Sequence, residues 1–231
     1  MTRRRWMAST ALVALRDIGT AHAAVRAPFT VFTFGDSVLD CARYNPYGVH
    51  PGQLLVRNDD ALFPEFKGRD LQSRRPAQLD HRAVDGATVD RLPAQARGLA
   101  GPVDNAVALL TIGGNDLLTG LAADRGSGMR AFAAALEAFL KSLVIRPVLL
   151  GTVYDPTFGD DARNFLPVDA RIARANHRRV NDLIGTLAAR HGRLVDLHAH
   201  FLRGNPAWFT RTIEPSLIGA SEVRRVFLAA L

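Results

Sequence analysis

A serine becomes chemically useful when a buried strand delivers it, rigidly held, into a tight loop facing a cleft. Val31-Phe32-Thr33-Phe34 is a β-branched and aromatic run that breaks abruptly into Gly35-Asp36-Ser37. That pattern reads as a strand ending in a loop, with Ser37 as an attacking hydroxyl. A second apolar run ends in Ile112-Gly113-Gly114-Asn115-Asp116. Attack on an ester carbonyl creates an oxyanion that needs hydrogen-bond donors already in place. The backbone N–H groups of Ser37 and Gly86 and the side-chain amide of Asn115 are three candidate donors. Each also has an ordinary reading. Gly-Asp-Ser is a common turn, Gly86 a turn glycine, and Asn115 a loop residue bonding its own backbone. Asp36 is expected to bond its loop, and Asp116 to brace the glycine loop.

These residues are far apart in sequence, so elements must bring them together. From Pro28 onward strand-like and helix-like segments alternate. Strands are predicted at Phe29 to Phe34, His81 to Val84, Asn105 to Ile112, Pro147 to Val153 and Arg193 to Leu197. Helices are predicted at Thr88 to Arg97, Met129 to Val144 and Ala170 to Arg190, the last with Ile172, Val180, Leu183, Ile184 and Leu187 on its apolar stripe. A final helix is predicted behind a Ser221 cap. The region from Asp40 to about Leu79 is irregular. Strands alternating with helices imply a parallel sheet covered on both faces. The expected fold is a three-layer α/β/α sandwich with a flavodoxin-like sheet of about five strands. Ligands bind such sheets beyond the carboxyl ends of the strands, and Ser37, Gly86, Asn115, Asp155, His198 and His200 all follow strands there.

Gly-Asp-Ser at 35–37, Gly86 within Val84-Asp85-Gly86-Ala87-Thr88, and Gly-Gly-Asn-Asp at 113–116 occur in an order and spacing that resembles the GDSL/SGNH hydrolase family. The resemblance covers most of the chain after Pro28. It implies a serine esterase or lipase with Ser37 as nucleophile and Ser37, Gly86 and Asn115 as the oxyanion hole, working without a cofactor on a small-molecule ester. The family's last block, an Asp and a His three apart, is missing. Arg211 stands where the Asp would be and Glu214 where the His would be.

Three readings of that gap stay open. In the first, a histidine from Asp196-Leu197-His198-Ala199-His200 supplies the base, because extended geometry would put 196, 198 and 200 on one face. His200 is favoured there, His198 stands close behind, and Asp196 or Asp155 would orient the ring. In the second, Glu214 works with a pKa raised by burial. In the third, the site is silent and binds a small acyl or carbohydrate ligand. A metal held by Asp196, His198 and His200 is set aside, since that spacing is common by chance. His50, His81, His177 and His191 show no comparable setting, and His177 and His191 read as solvated.

The composition excludes other classes. Of 29 basic residues only Lys67 and Lys141 are lysines, and the arginines are scattered without interleaved aromatics. The net charge of +7 therefore does not read as a nucleic-acid surface. Cys41, the single cysteine, excludes an internal disulfide and reads as a small buried residue. No stretch is apolar for long enough to span a bilayer. Residues 1–27 read as a basic extension ahead of a single domain over 28–231. Arg3-Arg4-Arg5, the run Met7 to Leu15 and Ala21-His22-Ala23 resemble a twin-arginine export signal, against which Arg16 and Asp17 follow closely. Export and a cytoplasmic location are left as equal expectations.

Overall fold

The computed structural model describes residues 27–231, so the export-signal reading lies outside the described residues. Five parallel strands form the central sheet: β1 (Phe29–Gly35), β2 (Ala77–His81), β3 (Ala106–Thr111), β4 (Val148–Gly151) and β5 (Arg193–Val195), in the order β2-β1-β3-β4-β5. This is the expected flavodoxin-like order. The three inner strands are buried at every position, as near-continuous apolar runs must be when helices cover both faces. The edge strands β2 and β5 are mostly exposed or half-buried.

Among the described residues seven α-helices flank the sheet: α1 (Pro51–Val56), α2 (Leu92–Gln95), α3 (Gly114–Leu118), α4 (Ser127–Ser142), α5 (Ala170–His191), α6 (Leu197–Phe201) and α7 (Leu217–Ala229). On one face Phe132, Leu136 and Phe139 of α4 meet Phe34 of β1 and Val180 and Ile184 of α5. On the other, Phe201 of α6 and Val223 and Phe227 of α7 cover Val31, Leu109 and Leu149. A two-stranded hairpin, β6 (Phe209–Thr210) and β7 (Glu214–Pro215), precedes α7.

Several expectations are corrected. The second strand begins earlier, at Ala77, because Ala77 to His81 pair with β1 despite their polar side chains. The predicted segment still follows β1, with Arg82 N–H bonding Thr33 O and Val84 N–H bonding Gly35 O. The helix expected from Thr88 shrinks to a 3-10 turn (Val89–Arg91) and the short α2. The last helix starts five residues sooner, capped by Ser216, whose hydroxyl accepts from Gly219 N–H at 3.2 Å. Ser221 lies inside that helix, buried against Arg224. Ile172, placed on the apolar stripe of α5, is exposed. The expectation that most alters the site is the fifth strand. It stops at Val195, and Asp196 caps α6 by accepting from Ala199 N–H at 2.9 Å.

Candidate active site

Ser37 lies two residues beyond β1 and is buried. The turn that delivers it depends on Gly35, at φ +118°, where an added Cβ would fall 1.7 Å from the Thr111 carbonyl oxygen. Only glycine permits that approach of β1 to β3. Gln95 holds the Gly35 peptide from both sides, accepting its N–H at 2.7 Å and donating to its carbonyl at 2.8 Å. No pattern in the sequence marks Gln95 for this task.

Asp36 bonds its loop as expected. Its Oδ1 accepts from Val38 N–H at 3.2 Å and, across the sheet edge, from the Thr111 hydroxyl at 2.9 Å. Burial pushes its carboxyl up to about 7, against the pull of those two hydrogen bonds. Asn115 stands in the first turn of α3. Its amide does not bond its own backbone but donates to Ala87 O at 3.0 Å, next to Gly86. Asp116 likewise reaches across the site, accepting from Val89 N–H at 3.1 and 3.3 Å. Gly86 has φ +78° with open space where a Cβ would be. The loops after β1, β2 and β3 are thereby tied into one frame that holds Ser37, Gly86 and Asn115.

The carboxyl nearest in role to Ser37 is Glu214, which is buried and close enough for the Ser37 hydroxyl to favour its charged form. Burial pushes the Glu214 carboxyl above the ordinary carboxylate range, the Ser37 hydroxyl draws it back, and the charge of Asp85 raises it again. Glu214 Oε2 is buried without a partner. The β6–β7 hairpin sets this side chain, with Glu214 paired to Thr210. Tyr154 steadies the turn by donating to Ile213 O at 2.7 Å. Arg211 and Thr212 within it have φ of +47° and +73°, left-handed backbone that neither residue type favours.

The histidines are placed elsewhere. Because α6 begins at Leu197, residues 198 and 200 follow helical rather than extended geometry and do not share a face. His200 Nε2 lies 2.8 Å from Glu222 Oε2, and its ring stacks on Trp208 at 5.2 Å between centroids. His198 packs at 4.9 Å from the His177 ring, with a buried Nδ1 that has no partner. Asp196 is occupied with its cap and with the Thr152 hydroxyl. Ser37, Asn115 and Asp155 line a common cavity of about 120 Å³, but His198, His200 and Asp196 do not line it. Asp155 is there as a bonded group, accepting from Thr157, Gly159 and Arg174. Among the described residues, no three His, Cys, Asp or Glu side chains are placed to hold a metal ion. Cys41 is buried, and burial raises its thiol.

His177, expected to be solvated, instead lines the same cavity as Ser37. Its position on a polar-faced helix hid this, because the side of α5 near its start turns toward the sheet edge rather than toward solvent.

A doubly wound parallel sheet with these loops at its carboxyl edge is the fold of the SGNH hydrolases. The chain belongs to the GDSL-like lipase/acylhydrolase family, whose model matches residues 33–217. Membership supports ester hydrolysis as the general chemistry. An α/β hydrolase from the metagenome of Lake Arreo, Spain, is 23% identical with a TM-score of 0.60, over 88% of this chain and 95% of that one. Axe2, an acetylxylan esterase from Geobacillus stearothermophilus, is 19% identical with a TM-score of 0.59, over 87% and 92%. An extracellular lipase from Streptomyces rimosus is 17% identical with a TM-score of 0.53, over 89% and 100%. At these identities the likeness is one of fold. No curated protein matches the sequence.

Proposed function

We propose that this chain is a carboxylic ester hydrolase in which Ser37 is the nucleophile and Glu214 its base. The observation that carries this reading is the buried Glu214 carboxyl placed where the Ser37 hydroxyl, itself buried, acts on it. An ordinary carboxylate is a weak base toward serine, and burial moves this one in the useful direction. Glu214 takes the Ser37 proton as Oγ bonds to the ester carbon. The N–H groups of Ser37 and Gly86 and the Asn115 amide receive the oxyanion. Collapse expels the alcohol, which takes the proton from Glu214. Water, deprotonated by Glu214 in turn, releases the acid and restores Ser37.

The family supports the acyl-transfer chemistry, and the esterase and lipase of similar fold are consistent with it. Glu214 is favoured over His200 and His198 because its carboxyl responds to the Ser37 hydroxyl, whereas the His200 ring is taken up by Glu222 and Trp208 and the His198 ring packs on His177. One observation favours the second reading, a binding protein without turnover: His198 and His200, the histidines expected to supply the base, do not line the Ser37 cavity. A pH–rate profile on p-nitrophenyl acetate separates the two. Wild type should lose activity on acidification as Glu214 takes a proton, with no separate histidine limb. Ser37→Ala should lower the rate by about ten-thousandfold or more. Retained turnover in a folded Ser37→Ala protein would remove Ser37 as nucleophile. A folded wild type inert toward short and long acyl esters would leave the binding reading.

A further inference from the structure

The cavity beside Ser37 is lined largely by apolar side chains, among them Leu117, Leu118, Phe165 and Leu166. Its polar groups away from Ser37 are nearly all committed to other protein groups. Asp155 and Arg174 bond each other, Asp155 also takes Thr157 and Gly159, and Arg174 also takes Asp161. Asn164 donates to Leu166 O and Val168 O and accepts from Leu166 N–H. Thr152 donates to Asp196 and accepts from His198 N–H.

His177 is different. Its Nε2 lies 2.9 Å from Val153 O and 3.2 Å from Tyr154 O. Two carbonyl oxygens can only accept, so Nε2 carries the proton and Nδ1 holds a lone pair. Burial, and then the neighbouring His198, lower the affinity of the ring for a second proton, which keeps it neutral. Among the described residues no group bonds Nδ1, and it is not one of the buried unpartnered atoms. His177 lines the cavity, and its Nδ1 is thus an acceptor of fixed tautomer that the fold leaves unused.

We propose that this cavity takes a substrate group that is apolar except for one hydroxyl, whose proton is received by His177 Nδ1. The proposal rests on the ester-hydrolase reading for the reaction but not for the binding. A carbon framework fills the space between Leu117 and Leu166, and the hydroxyl meets the acceptor that a plain alkyl group would leave dry. A site built around such a bond rejects the analogue that lacks it, because the acceptor is then desolvated for nothing. The hydroxyl can belong to the acyl part or to the alcohol part of the ester. His177 acts here as a specificity residue and not on the reacting atoms.

The test compares matched pairs. In the acyl arm kcat/KM is measured for p-nitrophenyl butyrate against 3-hydroxybutyrate, and hexanoate against 6-hydroxyhexanoate. In the alcohol arm butyl acetate is compared with the monoacetate of butane-1,4-diol. At least one hydroxylated member should be preferred by about tenfold, which also assigns the hydroxyl to its side of the ester. That preference should collapse toward one in His177→Phe. His177→Gln, whose amide nitrogen can keep one carbonyl bond while displacing the acceptor, serves if the phenylalanine variant misfolds. Calorimetry of hexanoate, 6-hydroxyhexanoate, butan-1-ol and butane-1,4-diol on Ser37→Ala protein tests binding without turnover. Tighter binding of a hydroxylated member there would support the proposal even if the wild type hydrolyses nothing. Equal use and equal binding of every pair, or a preference that survives both substitutions, would overturn it.

Discussion

The two sides of the Ser37 hydroxyl are built differently. On one side the loops after β1, β2 and β3 are cross-linked by buried hydrogen bonds: Gln95 to Gly35, Thr111 to Asp36, Asn115 to Ala87 and Val89 to Asp116. On the other, Glu214 is carried by a two-residue-per-strand hairpin with consecutive left-handed residues. A β-branched residue such as Thr212 in that region costs on the order of 1–3 kcal/mol. Strain is tolerated where the surroundings over-determine the backbone, and here the Tyr154 bond to Ile213 O is part of that restraint. Under the proposed reading, the difference teaches that an oxyanion frame can be fixed independently of the base. The frame keeps the motifs that resemble the family's, while a carboxylate stands where the family's His would be.

The sharpest way to break that contrast is Glu214→Gln. If the hairpin supplies the base, the frame alone cannot activate Ser37, and kcat/KM on an activated ester should fall about a thousandfold. Far-ultraviolet circular dichroism should remain unchanged. A fall below tenfold would move the base elsewhere and make the hairpin only a wall of the site.

The same contrast explains what could be read from the chain alone. Fold, strand order and the frame residues were legible because Val31 to Phe34 and Ala106 to Ile112 are apolar runs that end in glycine, and buried strands must look like that. Glu214 was legible only as a departure from a pattern, since its contact with Ser37 spans most of the chain. The histidines misled because Asp196 can either extend a strand or cap a helix. The helix won when its carboxylate found Ala199 N–H. His177 and Gln95 gave no local signal, because what matters about them is which distant backbone they meet.

Within the frame, Asp36 should show itself in stability. Its folded value near 7 lies above the roughly 3.9 of an unfolded aspartate, so the native state holds a proton that the unfolded chain releases. Its contribution is therefore fully present below pH about 4, falls as pH rises toward 7, and is flat beyond. Asp36→Asn keeps an acceptor at Oδ1 for both Val38 N–H and the Thr111 hydroxyl. The variant should be less sensitive to pH between 4 and 7, and at pH 8 more stable than wild type by up to about 4 kcal/mol. Urea denaturation at pH 4.5 and 8 checks this, and a wild-type loss of stability equal to the variant's over that range would refute it.

Asn115→Ala removes one donor and leaves two backbone N–H groups in place. Turnover should drop about a hundredfold with KM little changed, the mark of a bond made in the transition state. An unchanged rate would show that the amide serves only to tie α3 to Ala87.

The smallest effect belongs to the histidines, where the contrast is most easily lost. His200 bonds Glu222, whose carboxylate is also held by Arg225. Burial alone would raise Glu222, but His200 and Arg225 more than offset it and leave the carboxyl below its ordinary range. A depressed carboxylate stabilises the fold above its unfolded value, and that stability is lost as pH falls through the folded value. His200→Ala leaves Arg225 in place, so its cost should be about 1 kcal/mol or less at neutral pH and should shrink in acid. Its turnover on p-nitrophenyl acetate should stay within about threefold of wild type, since the His200 ring is occupied by Glu222 and Trp208 and makes no contact with the transition state. A hundredfold loss would mean that α6 unwinds in the working enzyme and that the base comes from His200 after all.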